Sequence, residues 1–277
     1  MPEGPEIRLA ADKIAEAIVG KPTTEVFFEF PQLKPFEARL TGRTVTGIET
    51  YGKAMLTRFE NDLNIYSHNQ LYGIWMVRKA YDWPQTKRSL RLAIHNAEYS
   101  ALLYSASDIE VLEDWEVPEH RFIRKIGPDL LDPAVTIDLV AARYMDDRFK
   151  RRRLATILLD QGFLAGIGNY LRSEILYVAG VHPKMRAIDC SAEQIRKLAE
   201  ASFMLTRQSY QTKGITNDLS LVETLKAEGL TRAEYRHFVF NRADRPCYGC
   251  GRPIVKEMHG SRRLYLCPNC QPVSSVG

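Results

Sequence analysis

At 277 residues the chain is long enough for two domains with hydrophobic cores, and its 45% hydrophobic, 26% charged composition excludes a disordered chain. A net charge of +4 is too mild to announce a nucleic-acid partner by itself, and no apolar run approaches the ~20 residues that span a bilayer. The acidic start lacks the basic and apolar segments of a secretory signal, so the expected address is the cytoplasm, with no membrane partner.

The chain opens Met1-Pro2-Glu3-Gly4-Pro5-Glu6. Removal of Met1 would expose a secondary amine at Pro2, and an α-amino group titrates near ~8 rather than ~10.4, so a useful fraction is nucleophilic at neutral pH. Glu3 stands beside it and could move protons. The other reading is structural: Pro5 in the first turn of a helix whose positive end favours Glu3 and Glu6. Ile7, Ala10, Ala11, Ile14, Ala17 and Ile18 then recur at helical spacing up to Gly20.

To about residue 105 the pattern is of short strands: Glu25 to Phe30, Thr44 to Glu49, Lys53 to Phe59, Leu63 to His68, Ile74 to Arg78, Leu90 to His95 and Tyr99 to Tyr104. Strands at this spacing predict a sandwich or barrel. Between them, Ser67-His68-Asn69-Gln70-Leu71-Tyr72-Gly73 carries amide, aliphatic and aromatic side chains in succession. Such a run either buries Leu71 at a strand end or serves as a wedge that parts a base step and fills the space left by an extruded nucleotide.

Pro118, Gly127, Pro128 and Pro133 mark an interdomain linker over 118–135, after a first domain at 1–117. Helices are expected from Thr136 or Asp138 to Met145, Arg151 to Gln161, Tyr170 to Ala179, and Ser191 to Arg207, the last opening with the capping box Ser191-x-x-Gln194. Gln211 to Glu234 reads as loop-rich. Arg148, Lys150, Arg151, Arg152 and Arg153 form one basic run, and Arg236, Arg242, Arg245, Arg252, Lys256, Arg262 and Arg263 a second; both suit a phosphate backbone or a solvated face. Around Gly166, Gly168 and Asn169, a glycine-bearing turn meets a helix start, where free backbone N–H groups favour phosphate.

Cys247-x-x-Cys250, sixteen residues, then Cys267-x-x-Cys270 is the spacing of a four-sulfur zinc site. Four protein ligands leave no open position, so one structural zinc and no catalytic cofactor are expected. The hairpin between the knuckles would project Arg262 and Arg263.

Taken in order, the PEGPE start, the LLDQ-x-FLAGIGNYLR-x-E segment and the two CxxC pairs resemble the formamidopyrimidine-DNA glycosylase and endonuclease VIII family over nearly the whole chain, with HNQLYG and YSASDIE on the endonuclease VIII side. The resemblance implies an α+β multidomain fold: an N-terminal β-sandwich with a flanking helix, a helix-two-turn-helix domain at 136–234 and a zinc finger at 235–273. It implies a bifunctional glycosylase and AP lyase of base excision repair, acting as a monomer on oxidised pyrimidines in damaged double-stranded DNA in a bacterial cytoplasm. Pro2 matches the family's amine nucleophile, Glu3 its acid/base, Lys53 a proton donor in strand cleavage and Arg262 the arginine of the later elimination. Gln70, Lys125 and Asn169 match DNA contacts, and Leu71 and Tyr72 the wedge. Position 125 is lysine where relatives often carry arginine, and Arg263 beside Arg262 leaves two candidates for one role. Oxidised-purine excision is the same-class rival, and a non-catalytic zinc-finger DNA binder the rival of another class.

Overall fold

Glu3 and Glu6 set the first helix in register. Glu3 is its N-cap, and the two residues form a reciprocal capping box in which the Glu3 N–H donates to Glu6 Oε2 at 2.9 Å. In the computed structural model, which describes residues 2–272, this helix, α1, runs Gly4–Ile18 and buries Ile7, Ala11, Ile14, Ala17 and Ile18. Met1 and Val273, the outer residues of the first and last expected segments, lie outside the described residues.

The chain folds as two compact units, Met1–Lys125 and Ile126–Gly277. The first holds β1 (Glu25–Phe28), a short α2 (Glu37–Leu40), β2 (Val45–Tyr51), β3 (Ala54–Phe59), β4 (Leu63–His68), β5 (Ile74–Lys79), β6 (Leu90–His95), β7 (Tyr99–Tyr104) and β8 (Asp108–Glu113). These make two antiparallel four-stranded sheets, ordered β1-β6-β7-β5 and β2-β3-β4-β8. Their inner faces share one core, with Phe28, Leu92 and Leu103 from one sheet, Met55, Ile65 and Ile109 from the other, and Ile7 and Ile14 of α1. The sandwich is therefore as expected.

Several strand ends shift by one or two residues, and one strand is additional. β1 ends at Phe28, because Pro31 starts a 3-10 turn over Pro31–Phe36. β8 was not expected; Ile109 is buried and Val111 packs on the core between the acids of Asp-Ile-Glu-Val-Leu-Glu, an alternation that the β4 edge completes by pairing.

The second unit holds α3 (Ile137–Met145), α4 (Leu154–Ile157), α5 (Asn169–Val178), α6 (Ala192–Gln211), α7 (Leu219–Ala227), α8 (Arg232–Tyr235) and the hairpin β9 (Val255–His259) and β10 (Arg262–Leu266). Thr136 caps α3 and Ser191 caps α6, whose capping box with Gln194 is complete. The helix expected over Arg151 to Gln161 is a single turn. The Leu154 and Ala155 N–H groups donate to the Met185 and Pro183 carbonyls, and Leu159 and Asp160 tighten into i→i−3 turns. The loop expected over Gln211 to Glu234 contains α7 and α8. Asp218 caps the first, accepting Leu221 N–H at 2.9 Å, and Val222 and Leu225 are its buried face. Among the described residues no helix is long and apolar enough to cross a membrane.

Candidate active site and metal centre

In the first unit, Tyr51 pairs with Ala54, leaving Gly52-Lys53 as a two-residue hairpin turn. Gly52 takes φ +60°, the first central position of a turn type that only glycine enters freely, and Lys53 follows it, buried at the β3 start. His68 pairs across from Ala54 on β4. Burial holds the His68 imidazole below its ordinary range, Asp108 pulls the other way and the Lys53 charge adds to the depression. A neutral ring fits its contact, since Nδ1 accepts the Gln70 N–H at 3.0 Å.

That bond begins the loop between β4 and β5. Gln70 is left-handed at φ +49°, and Ser107 Oγ donates to its Oε1 at 2.7 Å. The Gly73 N–H closes back on the Asn69 carbonyl at 2.7 Å, and a Cβ at residue 73 would lie 2.5 Å from that oxygen. Arg88 donates to the Tyr72 carbonyl at 2.7 Å. With the backbone thus tied, Leu71 and Tyr72 stand 54% and 68% exposed, so the reading of Leu71 as a core residue is excluded. Both line a cavity of about 660 Å³ with Pro2, Glu6, Asn69 and Trp75. Glu3 is buried at the foot of α1 next in chain to Pro2. Lys125 is exposed at the end of the first unit.

In the second unit, Gln161 fastens the glycine-bearing turn: its amide donates to the Leu159 and Ile167 carbonyls and accepts the Gly166 N–H. Asn169 is the first residue of α5. The four cysteine Sγ atoms lie within 4.8 Å of one another, with Cys247–Cys270 at 3.8 Å and Cys250–Cys267 at 3.5 Å. These separations exceed a disulfide's ~2.05 Å and match the ~3.8 Å edge of a tetrahedron with ~2.3 Å metal–sulfur bonds. Tyr177 Oη lies 3.1 Å from Cys247 Sγ, and the Cys267 N–H donates to Gln271 Oε1 at 2.9 Å. The residues fit a structural metal.

Gly260 and Ser261 turn the hairpin, and Arg262 opens β10. Arg262 lines a second-unit cleft of about 530 Å³ with Arg153, Arg172 and Lys184, whereas Arg263 does not. The basic runs are less available than the sequence suggested. Arg148 pairs with Asp146 at 2.6 Å, Arg152 with Asp160 at 2.8 Å and Lys150 with Asp147. Arg242 is buried, bonded to the Phe238 and Pro246 carbonyls and lying over the Tyr248 ring.

Two residues went unassigned in the sequence reading. Arg172, in the Asn-Tyr-Leu-Arg segment, is buried and bonds Ala155, Asn169 and Arg263. Glu174 is wholly buried, with two donors on each oxygen: Thr216 Oγ1 at 2.6 Å and the Phe238 N–H at 2.7 Å on Oε2, and the Val239 and Phe240 N–H groups at 2.8 and 2.9 Å on Oε1. Burial pushes this carboxyl upward, while a proton on it would face one of these donors. The signal in sequence was a charged residue at an inward position of an apolar helix.

Residues 1–106 match the family described as formamidopyrimidine-DNA glycosylase N-terminal domain, and residues 126–220 the formamidopyrimidine-DNA glycosylase H2TH domain. Endonuclease 8 of Escherichia coli (strain K12 / DH10B) and that of Shigella sonnei (strain Ss046) are each 49% identical over 271 residues, covering 98% of this chain and all of theirs. Lactococcus lactis formamidopyrimidine DNA glycosylase, in its crystal structure non-covalently bound to DNA containing an AP site, superposes with TM-score 0.80 at 20% identity over 98% of this chain and 100% of that one. The same enzyme with DNA containing an oxidized pyrimidine gives 0.80 at 21% over the same shares. At that identity the structures speak for the fold, whereas the full-length relatives and the two matched domains together fix the lineage: the chain belongs to the formamidopyrimidine-DNA glycosylase and endonuclease VIII family.

Proposed function

We propose that this DNA glycosylase and AP lyase excises oxidised pyrimidines from duplex DNA and cuts the strand by successive β- and δ-elimination. The observation that carries the reading is that Pro2 and the exposed pair Leu71 and Tyr72 line one cavity within a single unit. A nucleophile and a wedge are thereby kept at fixed spacing. Once Met1 is removed, the Pro2 nitrogen attacks C1′ as the glycosidic bond breaks and the base leaves with that electron pair. Glu3 moves the proton that opens the sugar. The resulting iminium acidifies C2′–H; loss of that proton expels the 3′ phosphate, and a second elimination expels the 5′ phosphate. Lys53 serves as the proton donor in strand cleavage and Arg262 as the arginine of the second elimination. Gln70, Lys125 and Asn169 contact the DNA.

The metal held by Cys247, Cys250, Cys267 and Cys270 is zinc, and it stiffens the hairpin rather than joining the reaction, because four thiolates fill its coordination. The protein works as a monomer in the bacterial cytoplasm, on the nucleoid.

Borohydride trapping on duplexes carrying thymine glycol, dihydrouracil or 8-oxoguanine tests the reading. Covalent adducts are expected on the pyrimidine lesions, strongly reduced in Pro2→Gly. Equal or greater excision of 8-oxoguanine would transfer the enzyme to the purine-directed branch, and no adduct on abasic DNA would leave a DNA-binding protein without chemistry.

A further inference from the structure

The α5 helix seals the outer edge of the arginine-bearing strand. Ser173 Oγ, which donates to the Asn169 carbonyl at 3.1 Å, accepts the Tyr265 N–H at 3.3 Å. One residue earlier, Arg172 Nη2 donates to the Arg263 carbonyl at 2.8 Å, so two consecutive helix residues satisfy two positions on the same edge of β10. Arg172 also reaches the opposite way. Its Nη2 donates to Asn169 Oδ1 at 2.7 Å, and its Nη1 to the Ala155 carbonyl at 3.0 Å. The side chain is 1% exposed, so this fork is internal structure rather than a surface charge.

We propose that Arg172 is a positioning residue that sets Asn169 and Arg262 as one paired phosphate grip. A guanidinium has five donors and no acceptor, so the Asn169 atom facing it must be the amide oxygen. The Asn169 NH₂ is thereby turned away from Arg172, as a donor, at the first turn of α5, where backbone N–H groups and the helix dipole already favour an anion. The same guanidinium fixes the backbone beside Arg262 by holding the Arg263 carbonyl. A single charged side chain thus couples two phosphate donors that lie 93 residues apart in sequence. Lysine cannot reproduce it, because one ammonium lacks the planar fork that meets three acceptors in separate directions.

The proposal deepens the functional reading, resting on its assignment of Asn169 and Arg262 to DNA. The probe is a duplex with a tetrahydrofuran abasic analogue, which the enzyme binds without cleaving, compared with cleavage of a true abasic site. In metal-loaded Arg172→Lys, the affinity for the analogue should fall about tenfold. The ratio of δ- to β-elimination products should fall by more than the yield of borohydride trapping. Asn169→Asp, which keeps an oxygen for Arg172 but replaces the outward NH₂ by a second oxygen, should bind about tenfold more weakly than Asn169→Ala. Wild-type affinity and product ratio in folded Arg172→Lys would overturn the proposal, as would Asn169→Asp binding as well as Asn169→Ala. Asn169 is half-buried at a helix start, so its two variants decide the matter even where Arg172→Lys fails to fold. Absence of trapping in the wild type would count against the catalytic reading alone, since the binding comparison needs no chemistry.

Discussion

The loop at 68–73 and the hairpin at 255–266 both present side chains outward, and they are stiffened by opposite means. The loop is tied by separate polar contacts, two within itself and two to other segments: Gly73 to Asn69, Gln70 to His68 and Ser107, Tyr72 to Arg88. No staple holds it, and its apolar tips, Leu71 and Tyr72, meet solvent. The hairpin is flanked at one end by the four-cysteine cluster and held along an edge by Arg172 and Ser173. A loop held by separate hydrogen bonds can lose its shape while the unit stays folded. A hairpin built by distant partners fails as a whole.

Removing one thiolate should expose that difference most strongly. Cys250→Ser is expected to lose the bound metal and to weaken DNA binding by about a hundredfold or more, since metal binding and folding are one equilibrium in such small sites. Metal analysis with fluorescence anisotropy checks it; full affinity in a metal-free variant would mean that the hairpin stands without its staple. Next comes Glu174→Ala, which strands three backbone N–H groups leading toward the metal knuckles. We expect about 3–5 kcal/mol of lost stability by denaturant unfolding, and a loss below about 1 kcal/mol would remove Glu174 from this role.

Gly73→Ala tests the loop, because the added Cβ must displace the Asn69 carbonyl. A cost of about 1–3 kcal/mol is expected, with excision falling further than thermal stability and metal content unchanged. Parallel loss of metal would show that the two regions are not independent.

The smallest effect is in pH. His237 Nδ1 lies 2.8 Å from Thr216 Oγ1, whose proton points at Glu174, so Nδ1 is the donor of that pair. Burial first, then Arg236 and Arg232, holds its titration well below the ordinary 6.5. The unfolded chain therefore binds this proton before the folded one does. The histidine's contribution is fully present above about pH 6.5 and is lost as pH falls toward the folded value, at up to ~1.4 kcal/mol per pH unit. Unfolding measured from pH 7.5 to 5.5 should show a shallower acid slope in His237→Asn than in wild type; equal slopes would exclude His237 as the source.

Much of this was legible in one dimension. The cysteine spacing specified the four-thiolate cluster, and the periodicity of Ile7 to Ile18 specified α1. Asp218 before Leu219, Val222 and Leu225 was a readable cap and stripe within a stretch taken as loop, hidden because most of its other residues are polar. The helix expected over Arg151 to Gln161 failed for a reason no local pattern holds: residues 183 and 185 take the N–H groups of its first turn.

By itself, the amino-acid order determined which groups the protein carries: a proline at position 2, cysteines in pairs, an apolar pair at Leu71 and Tyr72, and the lineage these motifs mark. Tertiary structure alone decided which charges remain available. Arg172 is buried against the Ala155 and Arg263 carbonyls, Arg242 is buried, and Arg262 rather than Arg263 lines the cleft. The reason is physical. Periodicity and spacing act over a few residues, whereas the environment of a charge depends on partners that only folding brings within a few ångströms.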